Sequence, residues 1–302
     1  MSEVAAIDCG TNSIKLLIGD LPYVSYRDSQ MVRLGQGVDA TGRLADEAMA
    51  RTFEAIEEFA GVIRAHRIPP ERVRFCATSA TRDSANADDF IQGVRHRLGV
   101  VPEVLSGEEE AALVFAGSTR GRPGLDGPVL VVDIGGGSTE MVLGDSGPTH
   151  SVSMDIGSVR LHERHLHDDP PTDDQVERMR DDIDAALDAA PVPIEQARTV
   201  IGTSGTIKTV AAGLLHLVSY DRDALDGAVL PVELTHQYVD ALMSMTVEQR
   251  RTMPYMHPGR ADVVAAGAMI WSHILERAGV EQYLVSEADI LYGIGWSLTE
   301  RG

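Results

Sequence analysis

A chain of 302 residues with a formal charge of −20, from 46 acidic and 26 basic side chains, has room for two domains with full cores. That balance excludes a general nucleic-acid binder, which needs a basic face to neutralise phosphates. No run reaches the roughly 18 apolar residues of a membrane span. The N-terminus enters a strand pattern with no basic-then-apolar leader, and the two cysteines, Cys9 and Cys76, lie in core-like strands. A reducing cytoplasm is the expected compartment, with neither membrane nor nucleic acid as partner.

Taken in order, residues 4–9 predict a strand, Asp8 to Ser13 a turn, 14–19 a second strand and 22–34 a third. Ala48, Phe53, Ile56, Phe59, Ala60 and Ile63 recur at helical spacing, so a long amphipathic helix is expected from Ala45 to about His66. A strand at 72–77 runs into Ala77-Thr-Ser-Ala-Thr-Arg-Asp-Ser-Ala-Asn86, whose small hydroxyls suit a helix cap and whose Arg82 can reach an anion. A helix at 87–98 and a strand at 100–105 lead to Ser106-Gly-Glu-Glu-Glu-Ala-Ala112. That segment reads as a capping box with an acidic first turn, at the strand end where ligands collect in open α/β sheets. Turn-rich Gly121-Arg-Pro-Gly-Leu-Asp-Gly-Pro128 marks a boundary between domains 1–123 and 124–302.

The second half starts with strands at 129–133, 139–144 and 149–156. Its first turn carries Asp133-Ile-Gly-Gly-Gly-Ser138, and three glycines in a row leave backbone N–H groups bare for an anion. His162, His165 and His167 beside Asp168-Asp169 read as a solvated loop, because their spacing fits no standard metal pattern. A helix at 172–189 and a strand at 198–202 lead into Gly202-Thr-Ser-Gly-Thr-Ile-Lys208 and a helix to about 217. Beyond a mixed stretch come a helix at 235–245, a buried helix from Arg260, a strand at 282–286 and a terminal helix. Ser286-Glu-Ala-Asp289 ends that strand as Ser106-Gly-Glu-Glu-Glu110 does in the first half.

The halves are copies. A shift of 125 residues lays Asp8, Gly10, Ser13 and Gly19-Asp20 on Asp133, Gly135, Ser138 and Gly144-Asp145. The same shift lays Thr78, Ser79 and Thr81 on Thr203, Ser204 and Thr206. The only two lysines, Lys15 and Lys208, each follow one of these loops and read as anion ligands or as plain solvated charges.

A duplicated strand-turn-strand hairpin in α/β halves resembles the actin/hexokinase/Hsp70-like (ribonuclease H-like) plan. The resemblance implies an interdomain phosphate-binding cleft that closes by a hinge. Ile7-Asp-Cys-Gly-Thr-Asn-Ser13, Ala77 to Asn86, Ser106-Gly-Glu-Glu-Glu-Ala111, Val132-Asp-Ile-Gly-Gly-Gly-Ser-Thr-Glu140 and Gly202-Thr-Ser-Gly-Thr206 resemble the exopolyphosphatase / guanosine pentaphosphate phosphatase (Ppx/GppA) family. Membership implies a metal-dependent phosphoanhydride hydrolase that releases terminal orthophosphate from inorganic polyphosphate, or from guanosine pentaphosphate, with Mg²⁺ or Mn²⁺. By that resemblance Glu110 activates water and Arg82 meets the transferred phosphate, while Glu108 and Glu109 stay solvated. Asp133 and Glu140 match metal-associated carboxylates, with Asp8 opposite. The amides of Gly135, Gly136, Gly137 and Ser138, together with Asn12, Ser13, Gly205, Thr206 and Lys208, would bind phosphates.

Two departures stand out. Many family members end their last motif in Gly-Leu-Arg-Glu-Gly, whereas Asp289-Ile-Leu-Tyr-Gly293 places Leu291 at the arginine. The chain also corresponds to the short form without the further C-terminal domains of longer members, so shorter polyphosphates and reliance on a homodimer are expected. Two rivals remain. One is a nucleotide-dependent kinase, which needs an adenine pocket and a sugar site; the other is a non-catalytic sensor of nucleotide or polyphosphate.

Overall fold

In the computed structural model, which describes residues 3–300, the chain opens with three antiparallel strands: β1 Val4–Cys9, β2 Ser13–Asp20 and β3 Tyr23–Met31. Strands β4 Val73–Ala77 and β5 Glu103–Val104 add in parallel, giving the order β3-β2-β1-β4-β5. The second half repeats the plan with β6 Val129–Ile134, β7 Thr139–Gly144, β8 Pro148–Met154, β9 Thr199–Thr203, β10 Val229–Pro231 and β11 Gln282–Val285. Its order is β10-β11-β9-β6-β7-β8, so removing the edge strand β10 leaves the order of the first sheet. This is the duplicated α/β arrangement expected of actin-like domains.

The hairpins repeat residue by residue. Val4 pairs with Gly19 and Val129 with Gly144. Pairing to the third strand shifts after Ile18 in one half and after Leu143 in the other. Glycine is required at both corners. A Cβ on Gly19 would lie 2.3 Å from the Tyr23 carbonyl oxygen, and one on Gly144 would lie 2.1 Å from that of Gly147. The next strand departs from the copy. Asp8 is level with Cys76, but Asp133 is level with Thr203 and not with Ile201, so β9 sits two residues further along its neighbour.

Contacts group residues up to Gly121 with those from Ile290 onward as one unit, and Arg122–Asp289 as the other. The helix Ile290–Glu300, in sequence part of the 124–302 block, lies against the helix Gly107–Thr119 and β1 of the first unit. In that unit the helix Asp46–Ala65 buries Ala48, Ala55, Ile56, Phe59, Ala60 and Ile63, one stripe at helical spacing, of which Ala55, Ile56, Phe59 and Ile63 join a core with Ile7, Leu16, Phe75 and Phe90. The core of the second unit joins Val132, Met141, Ile183 and Trp271, whose ring meets Tyr283 edge-on at 5.0 Å.

Two expectations need correction, and the mixed stretch gains its elements. His162 and His165 lie in the helix Ser158–His165, not in a loop. Leu161 is fully buried there, and the first amides of the helix bond to carbonyls of the glycine turn, so packing overrides a polar local sequence. The stretch at 218–234 contains β10 and a short helix, Arg222–Leu225. The buried helix begins at Val264, after a 3-10 turn at Pro258–Arg260. Among the described residues no helix is long and apolar enough to cross a membrane.

Candidate active site

Three adjacent glutamates at the start of the helix Gly107–Thr119 are sorted by helix geometry. Ser106 is the N-cap, and its hydroxyl accepts from the Glu109 amide at 3.2 Å. The Glu109 carboxylate returns the contact, accepting from the Ser106 amide and hydroxyl, each at 2.9 Å. Those hydrogen bonds, the amide's first, hold Glu109 below the usual carboxylate range. Glu108 points to solvent. Glu110, one position on, turns inward and is 6% exposed. Its Oε2 accepts from Arg82 Nη1 at 3.0 Å, and the same nitrogen donates to the Leu105 carbonyl at 2.9 Å. A capping box and a buried carboxylate thus share one helix turn, as the capping reading of the motif expects.

Beside them in the first unit, the turn from β1 to β2 is closed by the Gly10 amide donating to the Ser13 carbonyl at 3.0 Å. The outward carbonyls of Thr11 and Asn12 accept from Gly35, Val32 and Arg33. Among the described residues the amides of Thr11 and Asn12 donate to no protein group, and Asn12 Oδ1 is buried without a hydrogen bond. Thr11 and Ser79 share a hydroxyl contact at 3.0 Å. Asp8, 5% exposed, accepts from Lys15 Nζ at 2.9 Å.

The second unit has the same turn. The Gly135 amide donates to the Ser138 carbonyl at 2.9 Å and so is spent on closing the turn. The amides of Gly136, Gly137 and Ser138 make no hydrogen bond among the described residues. Carbonyls on the far side are tied down: Gly135 O accepts from Ser158, Gly136 O from Val159 and Arg160, and Gly137 O from Arg160 Nε at 2.7 Å. Gly157 allows that approach, because a Cβ there would lie 2.5 Å from the Gly136 carbonyl oxygen. Three amides left open by anchored carbonyls form a nest suited to an anion. Asp133 and Glu140, 7% and 2% exposed, stand directly opposite each other on β6 and β7. Ser153 Oγ donates to Glu140 Oε1 at 2.8 Å.

Gly205 and Thr206 open the helix Ser204–Leu214. Lys208, in the same helix, is 5% exposed, and its ammonium lies 3.5 Å from Glu287 and 3.8 Å from Asp289. It is therefore engaged in a buried ion cluster. Two residues here, Ser204 in its strained conformation and Arg260, escape the reading of the sequence, which singles out Glu287 only as part of Ser286-Glu-Ala-Asp289. Ser204 is held at φ 84, a left-handed strain for a non-glycine residue, with its Oγ buried and without a hydrogen bond. Only its place between a strand and a helix in Gly202-Thr-Ser-Gly-Thr206 hints at this. Arg260 covers Gly205, since a Cβ there would lie 2.2 Å from Arg260 Nη2. Burial lowers its pKa against the pull of Tyr220 and Glu287. Glu287 also takes the Tyr220 hydroxyl and stands 3.8 Å from Arg222. No local pattern announces Arg260, because it meets the loop from distant sequence. Leu291 is fully buried in the terminal helix.

Buried carboxylates and open amide nests on a duplicated α/β frame define a phosphoryl-handling class of protein. The model of the Ppx/GppA phosphatase family matches residues 17–294, and the chain belongs to that family. It is 44% identical to exopolyphosphatase 2 of Mycobacterium tuberculosis, over 99% of both chains. It is 35% identical to guanosine-5'-triphosphate,3'-diphosphate pyrophosphatase of Photobacterium profundum, over 68% of this chain and 42% of that one. A crystal structure of an exopolyphosphatase-like protein superposes with a TM-score of 0.95 at 43% identity, covering 99% of each chain. The Aquifex aeolicus family member gives 0.81 at 30% identity, covering 100% of this chain and 99% of that one.

Proposed function

We propose that this chain is an exopolyphosphatase: it releases terminal orthophosphate from inorganic polyphosphate by hydrolysis of the end phosphoanhydride. The observation that carries the reading is Glu110, a buried carboxylate in the first turn of a helix, oriented by Arg82 and separated from the capping role that Glu109 fills. Such a group accepts the proton of the attacking water, and Arg82 offers its remaining donors to the transferred phosphoryl. The open amides of Gly136, Gly137 and Ser138, and that of Asn12, hold phosphate oxygens without reorganising. Gly205 and Thr206 add helix-start donors.

Asp133 and Glu140 fit Mg²⁺ or Mn²⁺: two hard oxygen donors on directly opposed residues, both buried, one fixed by Ser153. When bound, that ion would offset charge on the phosphate oxygens. The two free, buried cysteines agree with a reducing compartment, the cytoplasm.

Guanosine pentaphosphate is the second substrate reading, favoured by the Photobacterium profundum relative. Polyphosphate comes first, because the relative named for it aligns end to end. Phosphate release should be measured from short polyphosphate, long polyphosphate and guanosine pentaphosphate, with Mg²⁺ and then with chelator. Fastest release from polyphosphate, abolished by chelator, is expected. Saturable nucleotide binding without release from any of the three would instead make the chain a sensor.

A further inference from the structure

The shift of 125 residues that relates the halves lays Thr11 on Gly136 and Gly35 on Arg160. One contact is common to both copies. The Gly35 amide donates to the Thr11 carbonyl at 2.9 Å, and the Arg160 amide donates to the Gly136 carbonyl at 3.0 Å. The next carbonyl is held differently. In the first half Asn12 O accepts from the amides of Val32 and Arg33. The same shift puts Gly157 and Ser158 at those places, and the Ser158 amide goes instead to Gly135 O. The Gly137 carbonyl takes its hydrogen bond from the Arg160 side chain, whose Nε donates at 2.7 Å. The side chains have exchanged accordingly. A Cβ on Gly35 would lie 2.4 Å from Thr11 Cγ2, so the first half has no room for a side chain there, whereas Gly136 brings no such group against Arg160.

In a trans peptide unit the carbonyl and the N–H point to opposite sides, so a carbonyl that is held aims the amide of the next residue. Gly136 O thus sets the direction of the Gly137 amide, and Gly137 O that of Ser138. A peptide unit that follows glycine rotates readily unless something holds it. From this we infer that Arg160 is the positioning residue of the second phosphate nest: its own amide and its Nε–H together aim the amides of Gly137 and Ser138 at the anion. What it contributes beyond the inherited main-chain contact is the hydrogen bond at Nε, not a guanidinium charge placed on phosphate. The inference rests on the reading that these amides hold phosphate.

Two variants of the full chain separate hydrogen bond from charge. Arg160→Met keeps the length of the side chain up to Nε and lacks the donor. Arg160→Gln places an amide N–H as many bonds from the backbone as Nε, without the charge. With Mg²⁺, KM for short polyphosphate should rise roughly tenfold in Arg160→Met, well beyond any fall in kcat. Arg160→Gln should recover most of that loss. In the absence of ligand, the nuclear magnetic resonance of the Ser138 amide should move in Arg160→Met and return in Arg160→Gln. An unchanged KM or an unmoved resonance in Arg160→Met overturns the inference. An equal rise of KM in both folded variants also overturns it, and would put the guanidinium on the substrate. If Arg160→Met does not fold, Arg160→Gln decides alone: a KM close to that of the wild type supports the inference, and a raised one overturns it. A wild-type chain that neither binds nor hydrolyses polyphosphate defeats the nest reading itself, and the inference with it.

Discussion

Each half follows its last parallel strand, β5 or β11, with a carboxylate segment and faces it with a cation from the helix that follows β4 or β9, but the two pairs are built differently. In the first half Arg82 meets Glu110 at 3.0 Å, and Arg82 keeps 24% of its side chain exposed. In the second half Lys208 is 7% exposed and lies between Glu287 and Asp289, which are 9% and 1% exposed. Tyr220 and Arg222 also meet Glu287, whose amide donates to Asp226 at 2.9 Å. In one pair the cation has reach into solvent and the carboxylate is fixed in a helix turn; in the other, both Lys208 and its two carboxylates are buried. The carboxylates are buried alike, and it is the exposure of the cation that separates the two pairs.

The sharpest way to break this contrast is Lys208→Met. Removing the ammonium that lies between Glu287 and Asp289 takes away the cation nearest to both buried carboxylates, and stability should fall by about 3–5 kcal/mol in urea unfolding. A variant of unchanged stability with a raised KM would return Lys208 to the phosphate ligands.

A smaller effect is expected at the cap. Ser106→Ala removes both hydrogen bonds of its hydroxyl, to the Glu109 amide and carboxylate, and should cost about 1 kcal/mol in thermal unfolding. Activity should fall with it if the first turn also aims Glu110. Equal stability loss with full activity would separate the cap from the site.

The smallest effect concerns acid stability. Burial pushes the Asp182 carboxyl up, but hydrogen bonds from His165 and Arg164 outweigh it and hold the carboxyl below the ordinary range. A lowered folded pKa contributes stability that is complete above the unfolded value, about 3.9, and is lost as pH falls through the folded one. Asp182→Asn should therefore lower Tm at pH 7 and converge on the wild type at low pH. A gap that does not depend on pH would remove Asp182 from the acid limb.

Much of this was legible in the sequence. The hairpins were, because apolar runs, glycine turns and an unbroken register all reflect local backbone rules, which duplication preserved. The helix Asp46–Ala65 was legible from its stripe. Glu110 was placed by a motif, yet its separation from Glu109 needed the helix geometry. The two-residue offset of β9, the strand β10 and the helical turn through His162 were not legible, because tertiary pairing and packing decide them. Arg260 over Gly205 and the caging of Lys208 also depend on residues far apart in the chain.

Glu110→Gln is the measurement closest to the centre. Orthophosphate release from polyphosphate should be followed for this variant and the wild type, with polyphosphate binding and melting temperature recorded in parallel. Release reduced by about 10³-fold, with binding and stability retained, is the result expected of a lost general base. Release within a few-fold of the wild type by a folded variant would contradict Glu110 as the residue that activates water.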